Sequence, residues 1–131
     1  MHRDYAGEEQ AMSSDLFAER LARVRQRFIS SLESKIEDTY AALPKLSGDG
    51  RDVTRALEET YRRIHGIVGV GPTVGFAATG KAARTVENVL LGPYRATRGL
   101  ASTEADALTK ALHVLREAAR QELQTTYTNW R

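Results

Sequence analysis

A histidine followed by glycines four and ten residues later is the arrangement in this chain with the clearest chemical content. The residues are His65, Gly69 and Gly75, within the stretch Ile-His-Gly-Ile-Val-Gly-Val-Gly-Pro-Thr-Val-Gly-Phe at 64–76. Glycine inside a helix costs roughly 1 kcal/mol relative to alanine, so a glycine there calls for a reason. One turn after a histidine, it leaves one side of the imidazole bare, where another protein can reach the ring. A neutral imidazole is a good nucleophile, and without perturbation it is largely unprotonated at pH 7. It can attack a phosphoryl group in line and form a phosphoramidate. That chemistry needs an exposed ring nitrogen, room for the donor, and positive charge for the phosphate oxygens. Gly66 and Gly69 supply the room. Arg62, three residues before the histidine, supplies charge.

The elements that must position this ring read as helices. Ser13, Ser14 and Asp15 offer N-cap chemistry after a polar segment, 1–13, read as a flexible leader. Apolar residues then recur at helical spacing through Phe17, Leu21, Val24, Phe28, Leu32, Ile36, Tyr40 and Leu43. Pro44 and Ser47-Gly48-Asp49-Gly50 close this first helix and form a loop. Asp52 is the expected cap of a second helix, whose buried stripe is Val53, Leu57, Thr60 or Tyr61, Ile64 and Val68. His65 is one step of about 100° from Ile64, at the edge of that stripe beside solvent. Gly71-Pro72 breaks the helix. A third, Ala-rich helix is expected over 76–91, with Phe76, Thr79, Ala83, Val86 and Leu90 inward, stopped by Gly92-Pro93. Ser102 and Thr103 are the expected caps of the last helix, whose stripe is Ala105, Leu108, Leu112, Leu115, Ala119, Leu123 and Tyr127. No segment alternates as a strand does. The fold class expected is all-α: an antiparallel four-helix bundle over 14–131 with an N-terminal helical extension.

A hairpin pivot near residue 72 or 73 would bring Lys81 level with His65, with Arg84 one turn further along. Both are candidate phosphate-neutralising cations.

Composition narrows the function classes. The chain has 131 residues, 41% hydrophobic and 27% charged, with a net charge of +2, as in an ordinary one-domain globular protein. It has no cysteines, which excludes disulfides and thiolate metal sites. No apolar run is long enough to span a bilayer. The opening residues lack the apolar stretch of a secretion signal, so a cytoplasmic protein is expected. From Arg62 to Arg98 six cations face one carboxylate, Glu87, for +5, while the rest of the chain carries 13 cations and 16 carboxylates, for −3. A basic field around His65 attracts an acidic surface or a phosphate. No dense basic run with interleaved aromatics marks a nucleic-acid interface. Charged and polar outer faces on each helix argue for a monomer.

With these residues in view, the chain resembles a histidine-containing phosphotransfer domain. The family pattern is a histidine, an apolar residue two later, glycines four and ten later, then an Ala-rich helix ending in an apolar-Glu pair. The matching residues are His65, Ile67, Gly69, Gly75, Phe76 and Ala82-Ala83-Arg84-Thr85-Val86-Glu87. Thr-Val-Gly-Phe at 73–76 is similar to a Thr-Phe-Gly-Phe version in one branch. The resemblance is most specific over about 25 residues. It implies a phosphorelay intermediate of a two-component system, in which His65 accepts a phosphoryl group on Nε2 from a receiver aspartate and passes it on. It implies partners of two kinds, a response-regulator receiver domain and a hybrid histidine kinase. It also implies no cofactor of the chain's own, since the Mg²⁺ belongs to the receiver. No Walker or kinase-type glycine loop is present, so no ATP site is expected. Many members carry Lys three residues after the histidine, where this chain has Val68, which leaves Arg62, Lys81 or Arg84 as substitutes. Gly66, Val68 and Gly75 are expected at the docking surface. The alternative is a non-phosphorylatable interaction module of the same fold, which binds a receiver or kinase without chemistry.

Overall fold

The computed structural model describes the backbone of residues 2–129 and the side chains of 12–126. The helical spacings become four helices: α1 His2–Ala42, α2 Arg51–Val70, α3 Ala77–Ala96 and α4 Ser102–Asn129. Two 3-10 turns, Leu43–Lys45 and Gly71–Val74, lie in the first two connections. Among the described residues there is no strand, and one isolated bridge joins Ser47 to Leu100. The fold is the expected all-α bundle. Neighbouring helices run antiparallel: Tyr40 and Glu37 of α1 meet His113 and Arg116 of α4 in reversed order.

The helix α1 begins upstream of the caps expected at Ser13–Asp15, and takes in residues 2–13, where a leader was expected. Ala6, Glu8, Glu9, Gln10, Ala11 and Met12 are strong helix formers, so propensity carries the helix where periodicity gives no signal. Phe28, Leu32 and Ile36 are buried as their spacing predicts. Phe17 and Val24 are not; they are 68% and 39% exposed. The reason is length. Arg25 Nε donates to the carbonyl of Val74 in the Gly71–Val74 turn at 3.1 Å, so the end of the bundle lies at about that level. The earlier turns of α1 run past it.

The start of α2 also differs from expectation. Gly50, at φ 108°, is its N-cap residue and no side chain caps it. Asp52 sits instead in the first turn, where its charge suits the helix dipole. Leu57, Thr60, Ile64, Ile67 and Val68 are buried. Full burial of a Leu or Ile side chain contributes roughly 1.5–3 kcal/mol, which fixes how α2 is rotated. The turn after α2 needs glycine at two places. Gly75 adopts φ +90°, which L side chains rarely tolerate. A Cβ on Gly80 would lie 2.7 Å from Pro72 Cδ. Phe76 closes the turn, 1% exposed and edge-on to Phe28 with ring centroids 5.1 Å apart.

No residue of α3 caps its own start. Glu122 reaches across from α4, and its Oε1 accepts from the Thr79 N–H at 2.6 Å and the Thr79 hydroxyl at 2.7 Å. That satisfies a donor of the first turn that would otherwise be orphaned.

The helix then passes through Gly92-Pro93, where a stop was expected, and ends at Ala96. Gly92 has no Cβ to clash with the proline ring, which removes much of the usual penalty on the residue before proline. Termination falls to Thr97, left-handed at φ 54°. Its N–H donates to the Tyr94 carbonyl and the Arg98 N–H to the Pro93 carbonyl, the paired bonds of a Schellman end.

The start of α4 is organised by Glu104 rather than by Ser102 or Thr103. Its carboxylate accepts from the Ala101 N–H at 2.8 Å and holds Arg98 at 2.7 and 3.1 Å. The Arg98 hydrogen bond first, and the Ala101 N–H second, hold the Glu104 carboxyl below the usual carboxylate range. Leu108, Leu112, Leu115, Ala119 and Leu123 are buried as expected. The side chains of Tyr127 and Trp130, and that of His2, lie outside the described ones. At the end of the bundle remote from the α2–α3 turn, the Leu100 N–H donates to the Leu46 carbonyl at 2.8 Å and ties the two loops together. No helix among the described residues is long and apolar enough to cross a membrane.

Candidate functional site

Because Ile64, Ile67 and Val68 turn inward, α2 carries His65 outward at the edge of its buried stripe, with 63% of its side chain exposed. The ring is nevertheless held. Its Nδ1 lies 2.5 Å from Oε2 of Glu87 on α3, and Glu87 is itself buried, 7% exposed. A carboxylate can only accept, so the proton belongs to Nδ1 of the imidazole. In the neutral ring this leaves the lone pair on Nε2, the nitrogen away from Glu87. The pairing therefore selects the nucleophilic nitrogen and anchors the ring's inner edge.

The two residues are 22 apart in sequence, so the hairpin pivots at residue 76 and not at 72 or 73. The 3-10 turn Gly71–Val74 and the left-handed Gly75 add length before α3 begins. Lys81 and Arg84 are exposed but lie nearer the turn than Glu87 does. At 1.5 Å per residue they fall about 9 and 5 Å short of it along α3. The structure does not bring either into contact with His65. Arg62 is exposed and paired with Glu58 at 2.6 Å. A surface i,i+4 pair of this kind is worth at most a few tenths of a kcal/mol, so the guanidinium is easily recruited elsewhere.

The expected docking residues separate. Gly66 and Gly69 are exposed, and a Cβ on either would meet nothing within 4 Å. Val68 is 8% exposed and packs in the core. It lies four residues after Ile64, on the same helical face, and so is not a surface residue. Gly75 is exposed, and its φ of +90° gives it a conformational requirement of its own. Since Gly69 meets open space, Gly69→Ala removes a helix-interior glycine without a clash. Its melting temperature is expected to rise, consistent with about 1 kcal/mol, whereas Gly69→Leu should stay folded yet obstruct a protein approaching His65. Thermal melts beside a binding or transfer assay check both halves.

Three residues at the site have no site role in the sequence-based reading. Glu87 appears there only as a motif residue, although it is the sole carboxylate between Arg62 and Arg98. A single buried acid opposite an edge histidine is the signal that would have found it. Tyr61 and Tyr94 are the others. The Tyr61 ring lies 12° from parallel with His65 at 5.7 Å, and 9° from parallel with Tyr94 at 4.3 Å. The core place expected for Thr60 or Tyr61 goes to Thr60, 1% exposed, leaving Tyr61 half-buried beside the histidine.

His113 provides a contrast. It too is exposed, and its Nδ1 lies 2.8 Å from the Tyr40 hydroxyl. A phenol can donate or accept, so it does not fix the tautomer as a carboxylate does. Burial pushes the Tyr40 hydroxyl above its ordinary pKa against the opposing pull of Arg116, which sits 3.8 Å over the ring. Among the described residues no group of three or more His, Cys, Asp or Glu is placed to hold a metal ion.

Neither protein-family models, nor curated proteins, nor solved structures give a match to the chain. The functional reading therefore stands on the residues of the site.

Proposed function

We propose that the chain is a phosphorelay intermediate, a histidine phosphotransfer protein whose phosphoacceptor is His65. The observation that carries this reading is the exposed imidazole whose Nδ1 is held by buried Glu87. The Nε2 lone pair attacks the phosphorus of an aspartyl phosphate on a receiver domain. The Nε2–P bond forms as the bond between phosphorus and the aspartate oxygen breaks, and the aspartate leaves as a carboxylate. The Nδ1 proton stays where it is, hydrogen-bonded to Glu87. The ring gains positive character, and the carboxylate offsets it where charge develops. In the reverse step a second receiver's aspartate oxygen attacks phosphorus and the imidazole departs neutral.

The chain supplies nucleophile, proton anchor and basic surroundings. The Mg²⁺ and the acidic pocket are the receiver's, and no ATP site of the chain's own is needed. Val68 faces the core, so neutralising charge comes from Arg62, Lys81 and Arg84 through their field rather than by contact with the ring. Gly66 and Gly69 give the receiver room. The setting is a cytoplasmic monomer that meets a hybrid kinase on one side and a response regulator on the other.

The test is transfer of label. A phosphorylated receiver mixed with the chain should yield an acid-labile, alkali-stable phosphoryl group, and His65→Gln, with unchanged circular dichroism, should yield none. Binding without transfer would favour the interaction module. Label retained in His65→Gln would place the chemistry elsewhere.

A further inference from the structure

Resting on the reading of His65 as phosphoacceptor, we propose that Tyr61, backed by Tyr94, is a positioning residue. It fixes the plane in which the imidazole reacts and closes one of its two faces.

Consider what the Glu87 contact leaves undone. A single hydrogen bond at Nδ1 pins one edge of the ring. It does not stop the ring from tilting about the Nδ1···Oε2 line, and a tilt swings Nε2 away from the donor phosphorus. A contact on the flat face removes that freedom. Tyr61 lies four residues before His65, hence on the same face of α2, and its ring is nearly parallel to the imidazole. Tyr61 is in turn backed by Tyr94. Glu87 and Tyr94 are seven residues apart on α3, two turns, and so project from one side of that helix. The helix α3 thus grips the ring's edge through Glu87 and, through Tyr94, backs the α2 residue Tyr61 that lies along its face.

The same spacing rule sets the direction of approach. Four residues before His65 stands a tyrosine, and four after it stands Gly69, beside which a Cβ would find only open space. The ring is therefore covered toward the start of α2 and uncovered toward the α2–α3 turn. The phosphoryl donor reaches it from the turn side. An aromatic face also attracts a cation through its quadrupole. Stacking therefore favours the ring that has gained positive character on forming the Nε2–P bond over the neutral ring, by about threefold for an exposed pair. Tyr61 is half-buried and packs at the edge of the core, whose fully buried places at this level go to Leu57, Thr60 and Ile64.

The experiment uses the full chain and a small donor, potassium phosphoramidate, so that no receiver is needed. The donor's P–N bond breaks, ammonia leaves, and the Nε2–P bond forms. Phosphorus NMR separates the two phosphohistidine isomers, and His113, exposed and lacking a carboxylate partner, serves as the internal reference. Wild type and Tyr61→Phe should label His65 at Nε2 at equal rates relative to His113. Tyr61→Leu should slow that labelling and hasten loss of the phosphoryl group, each by about threefold, with the helical circular dichroism of wild type at the assay temperature. Tyr94→Leu should show a smaller effect of the same sign, and it takes the place of Tyr61→Leu if that variant is destabilised. With a receiver as donor, Tyr61→Leu should lower the transfer rate at saturation and leave the half-saturating receiver concentration as it was. Equal labelling in wild type and both leucine variants would overturn the proposal, as would failure of Tyr61→Phe to match wild type. Wild type that labels from phosphoramidate but from no receiver would sink the relay reading while leaving the positioning result standing.

Discussion

Replacing Glu87 by Gln is expected to lower the rate at which His65 takes up a phosphoryl group by about 10- to 100-fold, with the fold retained. A hydrogen bond to a charged partner is worth about 1.5–3 kcal/mol, and each 1.36 kcal/mol is tenfold in rate. The sign follows from where charge appears. The imidazole is neutral before attack and cationic as the Nε2–P bond forms, so the Glu87 carboxylate interacts more strongly with the transition state than with the ground state. Glutamine keeps the shape and can still accept from Nδ1 through its carbonyl. It lacks the charge, and if its amide turns, its NH₂ donates to Nδ1 and moves the ring proton to Nε2, which blocks attack. Rates of label uptake in the variant, beside wild type and His65→Gln, decide the matter. Uptake at the wild-type rate would remove Glu87 from the chemistry and with it the main physical support for the proposed function.

The second large effect concerns stability and a different glycine. Gly99→Ala is expected to destabilise the bundle by about 1–3 kcal/mol, the usual cost of forcing atoms into a packed site. For a chain of this size that corresponds to a fall of roughly 3–12 °C in melting temperature. A Cβ at residue 99 would sit 2.3 Å from the Gly48 carbonyl oxygen and 3.1 Å from Val53 Cγ1. Gly48 cannot easily yield, because it is itself held at φ +100°. Neither can residue 99 swing away, since the next residue, Leu100, is bonded to Leu46. Relief therefore requires one loop to lift off the other. Thermal denaturation followed by circular dichroism measures it, and an unchanged midpoint would mean the loops are loosely associated. The opposite sign is expected at Gly69, where a Cβ would meet nothing within 4 Å, so the two glycines differ in their surroundings, one packed and one open.

Much of the architecture was legible because burial on a helix repeats. Leu57, Ile64 and Val68, or Leu108, Leu112 and Leu115, announce their inward face by spacing alone. What spacing does not carry is where a helix leaves the company of its neighbours. Phe17 and Val24 obey the same period as Phe28 and Leu32, yet they stand beyond the level at which Arg25 meets the turn. The end of α3 was hidden for a different reason. Gly92-Pro93 reads as a stop, but glycine before proline is the one pairing that takes the steric edge off the rule, and the helix runs on to its left-handed Thr97. At the site, His65, Gly66 and Gly69 were legible from local sequence. Two of their companions were not, because Glu87 meets His65, and Tyr94 meets Tyr61, only through the pivot of the α2–α3 hairpin; Tyr61, one turn before His65 on α2, was legible only as an alternative to Thr60 in the buried stripe. A pivot placed three or four residues early is enough to nominate Lys81 where Glu87 stands.

The phase of α3 between Glu87 and Tyr94 bears on how such a chain can change over time. Each residue of an α-helix advances about 100°, so inserting or deleting one position in that interval would rotate one of the two side chains away from α2 and separate edge from face. Substitutions there can be tried singly, and length cannot. Any lineage that keeps this site should therefore vary the exposed letters of this interval, such as Asn88, before it varies their number.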